Sequence, residues 1–212
     1  MGTYLDPVDT ENLESFSKKF KNIRISKKIS SNLTYMITKA KKNSDGQWQC
    51  VRTYKIIFAM INKIPVVNAS WVQNCYTNNK ILDIQNYQIT CDNISHEGFS
   101  NSSEGTFDNF LKDKFFTFAK MKKARKTAMC SKDVENIIKL LGGEILYDDE
   151  EFDESVGLIT LAMVDHMTTS YDASDLKNTD DYNEVIVEYK WLLDCISHAK
   201  ILSFDDYLIK TK

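Results

Sequence analysis

The chain has five cysteines, an odd number, and no C-x-x-C pair. That excludes a fully paired disulfide framework and the usual zinc spacing. Reduced cysteines packed as small buried hydrophobes are the expectation, and no metal or cofactor is expected. Phosphate loops of the G-x-x-x-x-G-K-[ST] or G-x-G-x-x-G type are missing, as are G-x-S-x-G and H-E-x-x-H. The three histidines, His96, His166 and His198, are scattered without a partner at fixed spacing, so no catalytic residue is assigned and an enzyme is not expected. No apolar run approaches the roughly 20 residues that cross a bilayer, and MGTYLDPVDT lacks the basic-then-apolar pattern of a signal peptide. No membrane partner is expected. The net charge of -3 gives no global support for an electropositive nucleic-acid face, so direct DNA binding is not expected either.

What is present is a globular composition, with 42% hydrophobic and 27% charged residues, and a repeat. A length of 212 residues suits one large domain or two of about 100 residues each. The segment VVNASWVQNCYTNNKILDIQNYQI, Val66 to Ile89, slides 120 positions onto IVEYKWLLDCISHAKILSFDDYLI, Ile186 to Ile209, without a gap. Trp71 falls on Trp191, Cys75 on Cys195, Lys80-Ile81-Leu82 on Lys200-Ile201-Leu202, and Tyr87 on Tyr207. Each copy reads as a β-branched buried strand followed by an amphipathic helix whose Trp and Cys share the core face.

The earlier parts of each copy follow one plan. In the second, KFFTFA is a predicted strand and SKDVENIIKLLGG a predicted helix, with Val134, Ile137, Ile138 and Leu141 at helical spacing, Ser131 as cap and Gly142-Gly143 as stop. EILYD and GLITLAMVD are the next strands. In the first copy ENLESFSKKFK gives the helix, IRI a strand and LTYMIT another. The order β-α-β-β-α-β-α implies a small central parallel sheet flanked by helices. The domain limits expected are 1–90 and 113–212, joined by a linker over 91–112 that includes the Asn-, Ser- and Gly-rich run Cys91 to Asn109. The acidic run Asp148 to Glu154 lacks the pattern of a calcium loop and reads as solvated. The basic cluster Lys120 to Lys126 fits a solvated loop, an import signal or an anion patch.

Tandem αβ repeats with W-x-x-x-C in the last helix and a Tyr about a dozen positions later resemble the BRCT family, the domain named for the carboxy-terminus of the breast-cancer susceptibility protein. The resemblance covers nearly the whole chain. It implies an α/β fold of two tandem BRCT domains, each a four-stranded parallel sheet flanked by helices, packed head-to-tail, with Trp71 and Trp191 as structural signatures. A chain of these two repeats alone is expected to be a piece of something longer.

Arg52-Thr53-x-Lys55 resembles the R-T-x-K signature of the phosphopeptide-binding tandem class. An ammonium and a hydroxyl near a helix N-terminus suit a phosphate on chemical grounds as well. The resemblance implies that Lys55 holds the phosphate, that Thr53 supports the contact and that Thr3 supplies a second hydroxyl. The family has Gly after that hydroxyl, where this chain has Tyr4. It further implies an apolar pocket for the side chain three residues after a phosphoserine, walled by Ile57, Met129 and Leu193. Arg52 would bind the peptide main chain or a free carboxylate, and Asp194 would hold Arg52. The function implied is a phosphoserine-peptide reader of pSer-x-x-apolar motifs in a nuclear DNA-damage checkpoint or repair scaffold, with a phosphorylated histone tail among the partners. The alternative is a phosphate-independent docking module, as in BRCT pairs attached to DNA ligases.

Overall fold

The computed structural model describes residues 1–94, 107–119, 129–147, 157–163 and 185–209. The basic cluster 120–126, the acidic run 148–154, His96 and His166 lie outside the described residues. The chain divides into two compact units, Met1–Gly105 with Ile196–Ala199, and Thr106–Cys195 with Lys200–Lys212.

In the first unit, strands β1 (Gly2–Thr3), β2 (Met36–Thr38) and β5 (Val66–Asn68) form a parallel sheet in the order β1-β2-β5. Helix α1 (Pro7–Lys19) starts where Asp6 accepts a hydrogen bond from the Asp9 amide at 2.8 Å and Pro7 presets the first turn. It buries Leu13 and Phe16. Helix α3 (Ser70–Thr77) buries Trp71, Val72 and Cys75, and the Phe16 and Trp71 rings meet edge-on at 5.5 Å. Between them helix α2 (Tyr54–Ile61) buries Ile56, Ile57, Ala59 and Ile61; Ile56 and Ala59 pack with Met36, Cys50 and Val66.

Two differences from the expected plan arise here. The IRI segment is not a strand, and the parallel sheet described in this unit has three strands. The Ile23 amide donates to the Phe20 carbonyl at 2.8 Å and its carbonyl accepts from Ser17 Oγ at 3.2 Å, so turn bonds use the groups that a ladder would need. Ile23 and Ile25 instead pack against the Trp71 core from a loop. The second difference is a small sheet in the order β3-β4-β6, built from β3 (Ala40–Lys42), β4 (Trp48–Cys50) and β6 (Cys91–Asp92). The β3–β4 hairpin turns through Asn43-Ser44-Asp45-Gly46, where Gly46 has φ +77°. Strand β6 pairs parallel to β4, so Cys91 and Asp92, read from sequence as linker, are part of this sheet.

The second unit holds β7 (Phe115–Phe118), β8 (Glu144–Ile145), β9 (Leu158–Ala162) and β10 (Val185–Glu188) in one parallel sheet, ordered β10-β9-β7-β8. Helix α4 (Ser131–Leu140) buries Val134, Ile137 and Ile138 at the expected spacing. Cys130, not Ser131, is its N-cap residue, because Ser131 already lies in the first helical turn. Gly142 follows at φ +84°, a conformation that favours glycine. Helix α5 (Lys190–Ser197) carries Trp191, fully buried.

The physical meaning of the sequence repeat is a repeated set of hydrogen bonds. Trp71 Nε1 donates to the Leu82 carbonyl at 2.9 Å, and Trp191 Nε1 to that of Leu202 at 3.0 Å. The Leu82 amide donates to Cys75 Sγ at 3.2 Å, the Leu202 amide to Cys195 Sγ at 3.3 Å. Asn74 donates to the Tyr87 hydroxyl at 2.9 Å, while the Tyr207 hydroxyl donates to Asp194 at 2.9 Å, the same link with the donor reversed. Trp, Cys and Tyr thus tie the segment after each helix back onto it. All five cysteines are free, and four of them are buried, Cys130 being the exposed one.

Candidate anion-binding site

The route from β4 to α2 fixes the candidate site. Arg52 is 4% exposed, with Nη1 3.8 Å from Asp92 Oδ2 and both side chains out of water. Ser197, which clusters with this unit, donates to Asp92 Oδ2 at 2.7 Å and accepts from Arg52 Nη1 at 3.2 Å. Asp92 Oδ1 also accepts from the Ile94 amide at 2.7 Å, and the Arg52 amide donates to Asn93 Oδ1 at 3.1 Å. A buried ion pair needs such added bonds to offset desolvation. Asp92, which the linker reading of 91–112 passed over, thus sets a carboxylate against Arg52 within this unit. In the second unit Asp194 accepts from Tyr207 and lies 3.6 Å from Lys190 Nζ.

With Arg52 anchored, Thr53 follows in extended geometry and caps α2, its Oγ1 accepting from the Ile56 amide at 3.4 Å. Lys55 then falls in the first turn, half-buried, in a helix with no acidic residue in that turn. A cation there opposes the helix dipole, and an anion placed beside it would reverse the sign of the interaction.

Thr3 lies at the end of β1, where it pairs with Thr38 and is 9% exposed. It lines a cavity of about 410 Å³ together with Met1, Tyr4, Thr10, Ser26, Lys27 and Lys55, among others. The fold therefore brings Thr3 and Lys55 into one cavity, as the sequence reading required. Thr53, expected beside the phosphate, is not among its lining residues and caps α2. Ser26 and Lys27 follow the IRI segment expected to be a strand, and no local motif marks them as part of a site. Tyr4 has φ +50°, the left-handed region that Gly adopts without cost, and its side chain is 60% exposed. The backbone at this position thus adopts a glycine-like turn despite the side chain.

Ile57 in the first unit and Met129 and Leu193 in the second are buried to 0%, 1% and 4% exposure. Among the described residues no group of three or more His, Cys, Asp or Glu is disposed to hold a metal ion. No helix among them is long and apolar enough to cross a membrane.

Two α/β units, each closed by a Trp- and Cys-bearing helix tied to its following segment, define a tandem repeat of small parallel-sheet domains. No family model matches the chain. Among curated proteins it is 20% identical over 97% of its length to the breast cancer type 1 susceptibility protein homolog of Mus musculus. It is 24% identical over 71% of its length to the BRCA1-associated RING domain protein 1 of Arabidopsis thaliana. It spans 11% of the first and 20% of the second. Among solved structures it resembles the S. pombe Brc1 BRCT5-BRCT6 domains, with TM-score 0.56 and 15% identity over 94% of this chain and 92% of that one. Rtt107p in complex with a phosphorylated histone gives TM-score 0.55 and 15% identity over 98% and 88%. The chain has the tandem BRCT fold.

Proposed function

We propose that this chain is a phosphoserine-peptide-binding module of a nuclear DNA-damage checkpoint or repair scaffold, reading pSer-x-x-apolar motifs. The observation that carries the reading is the cavity shared by Thr3 and Lys55, whose lining contains no carboxylate. A phosphate there meets the Lys55 ammonium, the Thr3 hydroxyl and the backbone of Tyr4, on the N-terminal side of α2. On this reading Arg52 serves the peptide main chain or a terminal carboxylate, and Ile57 the apolar side chain three residues on. The fold shared with Rtt107p, solved in complex with a phosphorylated histone, supports a phosphorylated histone tail as one partner.

Calorimetry with matched phosphorylated and unphosphorylated pSer-x-x-apolar peptides tests the reading. Charge-assisted bonds of roughly 1.5–3 kcal/mol imply that dephosphorylation, or Lys55→Met, weakens binding about ten- to a hundredfold. Equal affinity for the two peptides would overturn it and leave the docking module as the function.

A further inference from the structure

The cavity beside Lys55 holds more than a single phosphate requires. Its volume is about 410 Å³, whereas a phosphate has five heavy atoms. Two lysines line it, Lys55 from α2 and Lys27 from the loop between α1 and β2, beside the N-terminal ammonium of Met1, and no acidic residue does. Neither lysine has a carboxylate partner among the described residues. Lys39 of the same unit, by contrast, meets Asp6 at 2.6 Å. The Lys27 backbone is fixed by a local turn in which Ser26 Oγ donates to the Lys28 carbonyl at 2.6 Å and accepts from the Lys28 amide at 3.2 Å. The loop also belongs to a longer basic tract: from Ser15 to Ser44 there are nine lysines and arginines and no aspartate or glutamate. The overall net charge of -3 conceals this local excess.

We propose that Lys27 forms a second anionic subsite next to the Lys55 phosphate site, so that the preferred ligand carries a further negative group close to its phosphoserine. This rests on the phosphoserine reading and adds the class of sequence around the mark. The second group is a carboxylate or a second phosphate, which share the chemistry that two unpaired ammoniums recognise. Lys55 supplies phosphate dependence and Lys27 supplies preference among phosphorylated sequences.

The test is fluorescence anisotropy at fixed, low salt with three peptides sharing pSer-x-x-apolar. One has neutral flanks, one has aspartates beside the phosphoserine, and one has a second phosphoserine there. Wild-type protein should favour the second and third over the first by about two- to fivefold, the range for an exposed ion pair. Lys27→Ala should abolish that preference, and Lys27→Glu should reverse it. Lys27 is exposed, so both variants should fold. A preference unchanged by Lys27→Ala overturns the subsite and leaves the phosphoserine reading standing. Equal binding by wild type of the neutral-flanked peptide and its unphosphorylated counterpart overturns that reading instead. If random-sequence duplex DNA displaces all three peptides equally, the tract is a general polyanion face and the subsite falls.

Discussion

Replacing Tyr4 by glycine should make the protein more stable than replacing it by alanine, the reverse of the usual order. Alanine normally gains about 0.4–1 kcal/mol over glycine because its unfolded chain has less freedom to lose. At Tyr4 the backbone stands at φ +50°, where a residue with a Cβ carries a cost of roughly 1–2 kcal/mol that glycine escapes. The difference leaves glycine ahead by about 1 kcal/mol at the upper end of the strain range. The comparison is clean because the tyrosine side chain is 60% exposed, so both variants lose similar and small packing. For a chain of this size about 1 kcal/mol moves Tm by roughly 2–4 °C, which differential scanning calorimetry of Tyr4→Gly beside Tyr4→Ala resolves. Phosphopeptide affinity should hold or improve in the glycine variant, since an unhindered amide can approach an anion more closely. An alanine variant as stable as the glycine variant or more so would refute the argument that this turn is held under backbone strain.

Other perturbations probe the frame around the site. Asp92→Ala removes a buried carboxylate from beside the Arg52 guanidinium and should cost about 3–5 kcal/mol in urea unfolding; a cost under 1 kcal/mol would mean that the pair does not anchor the entry to α2. Burial pushes the Cys195 thiol up from 9.0 to about 12. A neutral thiol is then favoured in the folded state, so its contribution is complete below pH 9 and is lost as pH rises toward 12. Cys195→Ser should flatten that alkaline slope in denaturation curves taken across this range, and an unchanged slope would count against the assignment.

The parts of the fold legible in the sequence were those with a strong local period or a literal repeat. Trp71, Val72 and Cys75 announced a buried helical face, and the displacement onto Trp191 and Cys195 announced a second copy before any coordinates. Lys55 and Thr3 were reachable only through resemblance, since it is the tertiary fold that sets both on one cavity and no spacing encodes that. IRI failed because three apolar-flanked residues fit a short strand or a packed loop equally well, and the turn bond from Ser17 to Ile23 decides between them. Asp92 failed for another reason. A two-residue strand beside a polar run carries no periodicity, and the hairpin that β6 joins was not among the expected elements either.

The two repeats share a frame and differ where the chemistry is proposed. Val67 and Val187 are equivalent by the sequence displacement, and their sheet partners are Ile37 and Leu161. One strand further, Gly2 pairs with Ile37 and Phe118 with Leu161. The next residues are therefore counterparts: Thr3 in the first repeat and Ala119 in the second, a hydroxyl against a methyl. A second phosphate site in the second repeat would thus lack the hydroxyl. Titration with a singly phosphorylated peptide should give one site per chain, and Lys55→Met should remove the whole phosphate-dependent heat. A stoichiometry of two, or a phosphate-dependent site surviving in Lys55→Met, would show that the anion chemistry does not reside in the first repeat.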